Sequence, residues 1–397
     1  AAPGTPELVW DPINGCEDAM LAERRAKAFA NGTIKGATSQ SSDQAARFYA
    51  GEPREDLEQM DVITMQRTAQ THWAMMHDRK PGEAIVRVHN PATEKGGWPL
   101  NRTVIDFVDD DRAFQIDSIT ADLTRFGQAI HLIVHPLLYI KRGRNGDITA
   151  VLNNPARGFS GQSHIHIELT HMLTPAQCAE MQDSLARVAN DVRYATGDWQ
   201  AMRDCESRMG HAPASFPKTM IGEYQAFLEY LYKDNFTLLG YREYAYQKSK
   251  DGKTSARVVK ASHLGLLRLE VTTPIMPEGK DELPEHLAKL SKEKALLRVF
   301  KIHNKKSSVH RRVPLDAVMV RLYDEKGHHT GEAIFIGLFT SVTYSRSIRD
   351  IPYLDRKTAA IMERAKFEQG SHGYKALSHI LEKYPRDELF QIDSDTL

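Results

Sequence analysis

Between Asn101 and Tyr194 the hydrophobic pattern switches repeatedly between a period of two and a period near 3.6. That succession restricts the fold more than any other feature of the sequence. The stretch NRTVIDFVDD (101–110) is rich in β-branched residues and reads as a strand. Ile116, Ile119, Leu123 and Phe126 then recur at helical spacing and predict one buried stripe, with Gly127 as the stop. Asp109, Asp110 and Asp111 are expected at the start of that helix, where the macrodipole favours negative charge. AIHLIVHPLLYIKRGR (129–144) predicts a long strand with a bulge or edge at Pro136, and Asn145-Gly146 is a strong hairpin signal. GQSHIHIELTHM (161–172) alternates cleanly, with Ile165, Ile167 and Leu169 expected inward and His164, His166 and Glu168 outward. Thr174 and Pro175 then supply the N-cap and first position of a helix reaching about Tyr194, which buries Cys178, Met181, Leu185, Val188 and Val192.

The order strand, helix, strand, strand, helix is that of a ferredoxin-like α/β sandwich, the outline of small ACT-type ligand-sensing modules. The usual last strand is not evident after the helix. EAIVRVHN (83–90), which follows the Pro81-Gly82 break, is the candidate to take its place at the sheet edge. Helices are expected before it, over 17–30 and 57–77, joined by a Gly/Ser/Thr-rich loop over 31–42. After a polar connector (202–218) and an aromatic-rich helix (221–236), strands are expected over 236–248, 255–260, 263–270, 295–303, 317–324 and 331–344. Their short connections predict a mostly antiparallel, PAS- or GAF-like sensor sheet, and helices follow from Pro352. The expected fold class is therefore α+β in four parts: a helical segment over 1–80, an ACT-like sandwich over 81–200, a helix plus antiparallel sheet module over 201–345, and C-terminal helices over 346–397. A length of 397 residues with 41% hydrophobic content suits several packed cores.

Charge and cysteine content narrow the function classes. Lys+Arg and Asp+Glu both number 52, so no global field attracts nucleic acid or an anionic membrane. A local basic group, Lys301, Lys305, Lys306, Arg311 and Arg312, is expected to be a solvated hairpin end. Three scattered cysteines make neither a disulfide framework nor a zinc motif and fit a reducing cytosol. The longest apolar stretch, 129–140, contains two histidines and a proline and falls short of the ~20 residues needed to span a bilayer. The start AAPGTPELVW has no initiator Met, basic n-region or apolar h-region. With the end at DSDTL, it points to a piece of a longer, cytoplasmic chain.

Candidate sites are few. His164, His166 and Glu168, with His171 nearby, have metal-ligand chemistry, but one strand is not a converging shell. An exposed or subunit-facing sheet surface is the preferred reading, and no metal site is expected. His328-His329 reads as a solvated turn, and His131 and His135 as structural histidines. The loop Val108, Asp109, Asp110, Asp111 and Arg112 occupies the strand-to-helix position where an ACT-like module would hold an amino-acid effector. No G-x-G-x-x-G, phosphate loop or G-x-S-x-G is present, so no catalytic or cofactor-binding residue is assigned.

Several separated blocks resemble the N-terminal region of the large bacterial NAD-dependent glutamate dehydrogenases. They are GLFTS (337–341), IPYLDRK (351–357), SHGYKAL (371–377) and YPRDELFQ (384–391), with LLRVFKIHNKKSSVHRR (296–312) and HPLLYIKRGRNGDI (135–148). The resemblance implies a much longer parent that oxidatively deaminates L-glutamate with NAD, its dehydrogenase core lying C-terminal of this region. It implies that the present segment is non-catalytic, needs no cofactor itself, and serves regulation and assembly of a homo-oligomer, expected to be a tetramer. A free-standing amino-acid sensor is the competing expectation, and a hydrolase or metalloenzyme built on His164 and His166 a weaker one.

Overall fold

Two compact units make up the chain, Ala1–Asn190 and Asp191–Leu397. The computed structural model describes residues 39–53, 57, 60–209, 212–248, 254–269 and 295–392. The helix expected over 17–30 and most of the loop expected over 31–42 lie outside the described residues.

The first unit holds strands β1 (Ile85–His89), β2 (Val104–Asp110), β3 (Ile130–Val134), β4 (Leu137–Arg142), β5 (Ile148–Leu152) and β6 (Ser160–Leu169). Their order is β1-β2-β6-β4-β5, with β3 also beside β6, and every pairing is antiparallel. Its helices are α1 (Ser39–Phe48), α2 (Val62–Asp78), α3 (Gln115–Arg125) and most of α4 (Pro175–Gly197), with a 3-10 turn at Pro91–Thr93. The sheet is ACT-like, and β1 lies beside β2 where the last strand of a ferredoxin-like sheet would lie. The single strand expected over 129–144 is two strands, because Pro136 has no N–H to give to a ladder. Its carbonyl still accepts from the His164 N–H at 3.1 Å, which keeps both halves on β6.

Local signals set the element ends. Gly127 takes a φ of +67° just after α3, a conformation that favours glycine, and Gly146 does the same at +88° in the β4–β5 hairpin. Thr174 forms a reciprocal cap with Gln177. The Gln177 N–H donates to the Thr174 hydroxyl at 3.3 Å, and the Thr174 N–H donates to Gln177 Oε1 at 2.9 Å.

Both faces of this sheet are covered. On one, α3 and α4 bring Ile119, Leu123, Met181 and Leu185 against Ile105, Phe107, Ile165, Ile167 and Leu169. On the other, Phe48 of α1 and Met65, Ala69, Trp73 and Met76 of α2 pack on Val134, Leu138 and Ile140. The 4, 4, 3 spacing of those α2 residues is a helical stripe, and Asp61 caps the helix by accepting the Thr64 N–H at 2.9 Å. Each large side chain so buried contributes about 1.5–3 kcal/mol. The outward placement of His164, His166 and Glu168 is therefore corrected. Their relative exposures are 0%, 0% and 3%, because α1 and α2 close over the face they occupy.

The second unit is built on a sheet of order β10-β11-β12-β7-β8 with β9 on β7, again wholly antiparallel. Its strands are β7 (Phe236–Lys248), β8 (Thr254–Val258), β9 (Leu264–Gly265), β10 (Leu297–Lys306), β11 (Pro314–Tyr323) and β12 (His329–Phe339). The helices are α5 (Trp199–Arg208), α6 (Lys218–Tyr230), α7 (Ser341–Ser345), α8 (Pro352–Ala365), α9 (His372–Lys383) and α10 (Arg386–Gln391). Phe390 stacks on Phe339 at 4.5 Å between ring centroids and lies near Phe227 and Tyr353, so α6, α8 and α10 share one aromatic core with the sheet.

Three expectations for this unit are corrected. The strand expected to reach 344 stops at Phe339 and gives way to α7. The stretch read as a polar connector is helical through Arg208, and it buries Met202 and Cys205. The basic group is not wholly solvated: Lys301 is nearly buried between Asp316 and Asp387, at 2.9 Å from each, and Arg311 donates to the Phe339 carbonyl at 2.6 Å.

On α5, Glu206 is 4% exposed and its Oε1 has no hydrogen-bond partner. The adjacent Arg203 is turned to Asp234 at 2.7 Å. Burial pushes the Glu206 carboxyl up to about 7 from an ordinary value of 4.5. The folded chain thus holds a proton that the unfolded chain releases, and stability falls as pH rises from about 4.5 to about 7. Glu206→Gln is expected to flatten that decline and to raise stability above neutrality by up to about 3 kcal/mol. Urea unfolding across this pH range measures it; a parallel decline in the variant would show that Glu206 is not the group responsible.

Candidate functional site

β2 turns Ile105 and Phe107 toward α3 and α4, so Val104, Asp106 and Val108 face α2. Register places Asp106 opposite His166 of β6 on one side and Arg87 of β1 on the other. His72 comes down from α2, and His89 closes the end of β1. The result is one buried carboxylate with three imidazoles on it. Asp106 Oδ1 lies 2.7 Å from His166 Nδ1 and 3.1 Å from His72 Nε2, and Oδ2 lies 3.0 Å from His89 Nε2. Behind them, His89 Nδ1 meets Glu94 at 3.1 Å and His166 Nε2 faces Glu168 at 3.8 Å, while Arg102 holds Glu168 at 3.3 Å.

Electrostatics follows from this packing. Burial alone would raise the Asp106 carboxyl. The hydrogen bonds from His166, His72 and His89 outweigh it and hold the group well below the usual carboxylate range. Burial likewise works against a charged His166, but the hydrogen bond to Asp106 and the nearby Glu168 carboxylate bring it to about 9. The two form an ion pair inside the sheet. His72 is pushed down by burial. An ionised carboxylate accepts only, so His72 presents its Nε2–H and leaves Nδ1 without a hydrogen bond. His164, with both nitrogens buried and unbonded, is pushed well below its ordinary range by burial and by neighbouring positive charge. Its ring lies 5.5 Å from that of His72 and 6.4 Å from that of Phe48. His72, Asp106 and His166 form the one group among the described residues where three metal-ligating side chains converge, their ligand atoms within 4.8 Å of one another.

The loop singled out for an effector is placed at the end of β2. Val108 is buried in the strand. Asp109 receives the Gln115 side-chain N–H at 3.2 Å and lies 3.6 Å from Arg79, and burial pushes its carboxyl up. Asp110 is bridged by Arg79 at 2.5 Å and Arg112 at 3.1 Å. Asp111 is exposed. These acids do not serve the first turn of α3, as expected from sequence: the cap there is Phe114, at a φ of +68°, and the first-turn acid is Asp117. Arg79 from the end of α2 accounts for them instead.

Of the other histidines, His135 bonds Ser163 at 2.8 Å, in keeping with a structural role. His131 and His171 are exposed, so His131 is not a structural core histidine and His171 does not join the cluster. His328 is exposed and bonds Asp324 at 3.0 Å. Sequence reasoning missed His72, His89 and Asp106. The single available signal was that the polar positions of β6 are histidine and glutamate, not the Lys, Ser or Thr of a wetted face.

Removing the shared anion while leaving its partners is expected to be severe. Asp106→Asn should cost about 3–5 kcal/mol, whereas His164→Leu, which deletes two unbonded nitrogens, should be neutral or stabilising by about 1 kcal/mol. Chemical denaturation of both variants measures the contrast; comparable losses would mean that His164 has a polar partner.

The comparisons with known proteins agree with this architecture. Residues 44–185 match the glutamate dehydrogenase ACT1 domain, and residues 351–397 match glutamate dehydrogenase helical motif 1. The chain is 32% identical over 365 residues to an NAD-specific glutamate dehydrogenase of Halomonas elongata, an alignment covering 88% of the chain and 22% of that protein. It is 30% identical over 365 residues to the NAD-specific glutamate dehydrogenase of Pseudomonas aeruginosa, with 89% and 22% covered. The chain thus carries the ACT1 domain and the helical motif 1 of glutamate dehydrogenases, and it spans about a fifth of the length of the NAD-specific relatives it matches.

Proposed function

We propose that this chain is the N-terminal, non-catalytic regulatory and assembly segment of a cytoplasmic NAD-dependent glutamate dehydrogenase. The parent enzyme would convert L-glutamate, NAD and water to 2-oxoglutarate, ammonia and NADH. The observation that carries the reading is the character of the two sheets. A dinucleotide fold needs parallel strands and a glycine-rich strand-to-helix turn against which the pyrophosphate can lie. Among the described residues every pairing is antiparallel. The β2–α3 turn carries Asp111 and Arg112 and no glycine. The β6–α4 turn, 170–174, and Thr340 before α7 have none either.

On this reading NAD is a cofactor of the parent and not of this segment, and the ACT-like sheet serves homo-oligomer contacts, in a tetramer, and the sensing of an amino acid. An effector would sit at the Val108–Arg112 loop, where Asp111 is the exposed carboxylate able to take an ammonium group. Among the described residues no helix is long and apolar enough to cross a membrane.

Isothermal titration of the chain with NAD, L-glutamate, aspartate and other amino acids tests the proposal. One amino acid is expected to bind, NAD is not, and Asp111→Ala should weaken the amino acid at least ~10-fold, the loss of one charge-assisted contact. NAD binding with glutamate turnover would overturn the non-catalytic assignment. No binding of any amino acid would remove the sensing role and leave assembly.

A further inference from the structure

We propose that the buried cluster of the first unit is a binding site for one divalent transition-metal ion, with His72 Nε2, His166 Nδ1 and Asp106 Oδ1 as ligands. Nothing in the family description or in the relatives' names assigns a metal here. The argument begins with the donor set. Two imidazoles and one carboxylate suit zinc, iron, cobalt or nickel, and suit magnesium and calcium poorly, since those ions favour oxygen.

Convergence is the second point. The three ligands come from α2, β2 and β6, so no single strand or loop accounts for their meeting. Around a tetrahedral zinc ion, ligand atoms are about 3.3 Å apart, given bonds near 2.0–2.1 Å. Asp106 Oδ1 already lies 3.1 Å from His72 Nε2 and 2.7 Å from His166 Nδ1, and all three ligand atoms lie within 4.8 Å of one another.

The surroundings are those of a metal site as well. Ligating histidines present their second nitrogen to a carboxylate or carbonyl, which fixes ring orientation. His166 Nε2 faces the Glu168 carboxylate at 3.8 Å, an ion-pair distance that coordination would shorten, while His72 Nδ1 has no partner. The non-coordinating oxygen of Asp106 is held by His89 at 3.0 Å, and His89 is held in turn by Glu94 at 3.1 Å. Among the described residues neither Arg nor Lys pairs with Asp106, although Arg102 and Arg87 pair with the outer glutamates. The innermost anion is thus left to groups that can exchange protons for a metal ion. His164, fully buried beside His72 with both nitrogens unbonded, adds a fourth imidazole that a purely hydrogen-bonded core does not employ. Of the strand residues considered from sequence, only His166 is a ligand; Glu168 stands behind it.

The test uses the purified chain, stripped with chelator and titrated with Co2+ and then Zn2+. One equivalent of Co2+ is expected to give the visible d–d absorption of a low-coordinate nitrogen and oxygen site, to be displaced by Zn2+, and to raise the thermal midpoint. His72→Gln should abolish the spectrum. His89→Gln, which removes the group holding the other oxygen of Asp106, should leave the three ligands in place and weaken binding about 10–100-fold. His131→Gln, at an exposed histidine, should change nothing. No stoichiometric Co2+ in the wild-type chain would overturn the site, as would binding that persists unchanged in His89→Gln together with His72→Gln. Amino-acid titration reads a different property, so failure here leaves the regulatory assignment intact.

Discussion

The first unit depends on a carboxylate that would be intolerable alone. Asp106 sits in the middle strand pair of the sheet, on the face that α2 covers, and an isolated ionised carboxylate there would cost several kcal/mol. Three imidazoles from three elements surround it, and their hydrogen bonds more than offset its desolvation. The arrangement ties α2 to the sheet by geometry as well as by apolar contact. Hydrophobic burial of Trp73 and Met76 would allow the helix to slide; the bond from His72 to Asp106 fixes its register. The same helix ends on Arg79, whose guanidinium gathers the acids at the end of β2. One helix thus supplies hydrogen-bond partners to both polar patches on that face.

The sheet is consequently a middle layer. A ferredoxin-like sandwich ordinarily has helices on one face, with the other free for partners. Here α1 and α2 occupy the second face, so the sheet is covered on both sides. The second unit places its helices α6, α8 and α10 around a shared aromatic core with β10–β12, and the residues matched to helical motif 1 include the whole of α9 and α10.

What could be read from sequence is what local chemistry determines. The Thr174 cap, the stop at Gly127, the hairpin at Gly146 and the inward positions of Ile165, Ile167 and Leu169 all rest on residues a few positions apart. The blocks between Gly337 and Gln391 carried the resemblance because they are long and ordered. The candidate site was largely illegible. His72 is 34 residues from Asp106 and His166 is 60 away, so nothing local joins them. Alternation along β6 separates two faces but does not say what lies on the second, and an amphipathic α2 could have packed anywhere. The acids at 109–111 misled for a related reason. Their attraction to a helix N-terminus is worth less than a guanidinium at 2.5 Å from a distant helix end.

The position of β1 has a consequence for the order in which the chain takes shape. In a ferredoxin-like module the closing edge strand is the last to be made, and the sheet waits for it. Here that edge is supplied by Ile85–His89, so every strand of the first sheet is complete once Leu169 has been synthesised. The first strand of the second sheet begins only at Phe236. A ribosome that delivers residues in sequence therefore hands over a finished set of pairing partners, with no unpaired β2 edge left to mispair with the strands still to come.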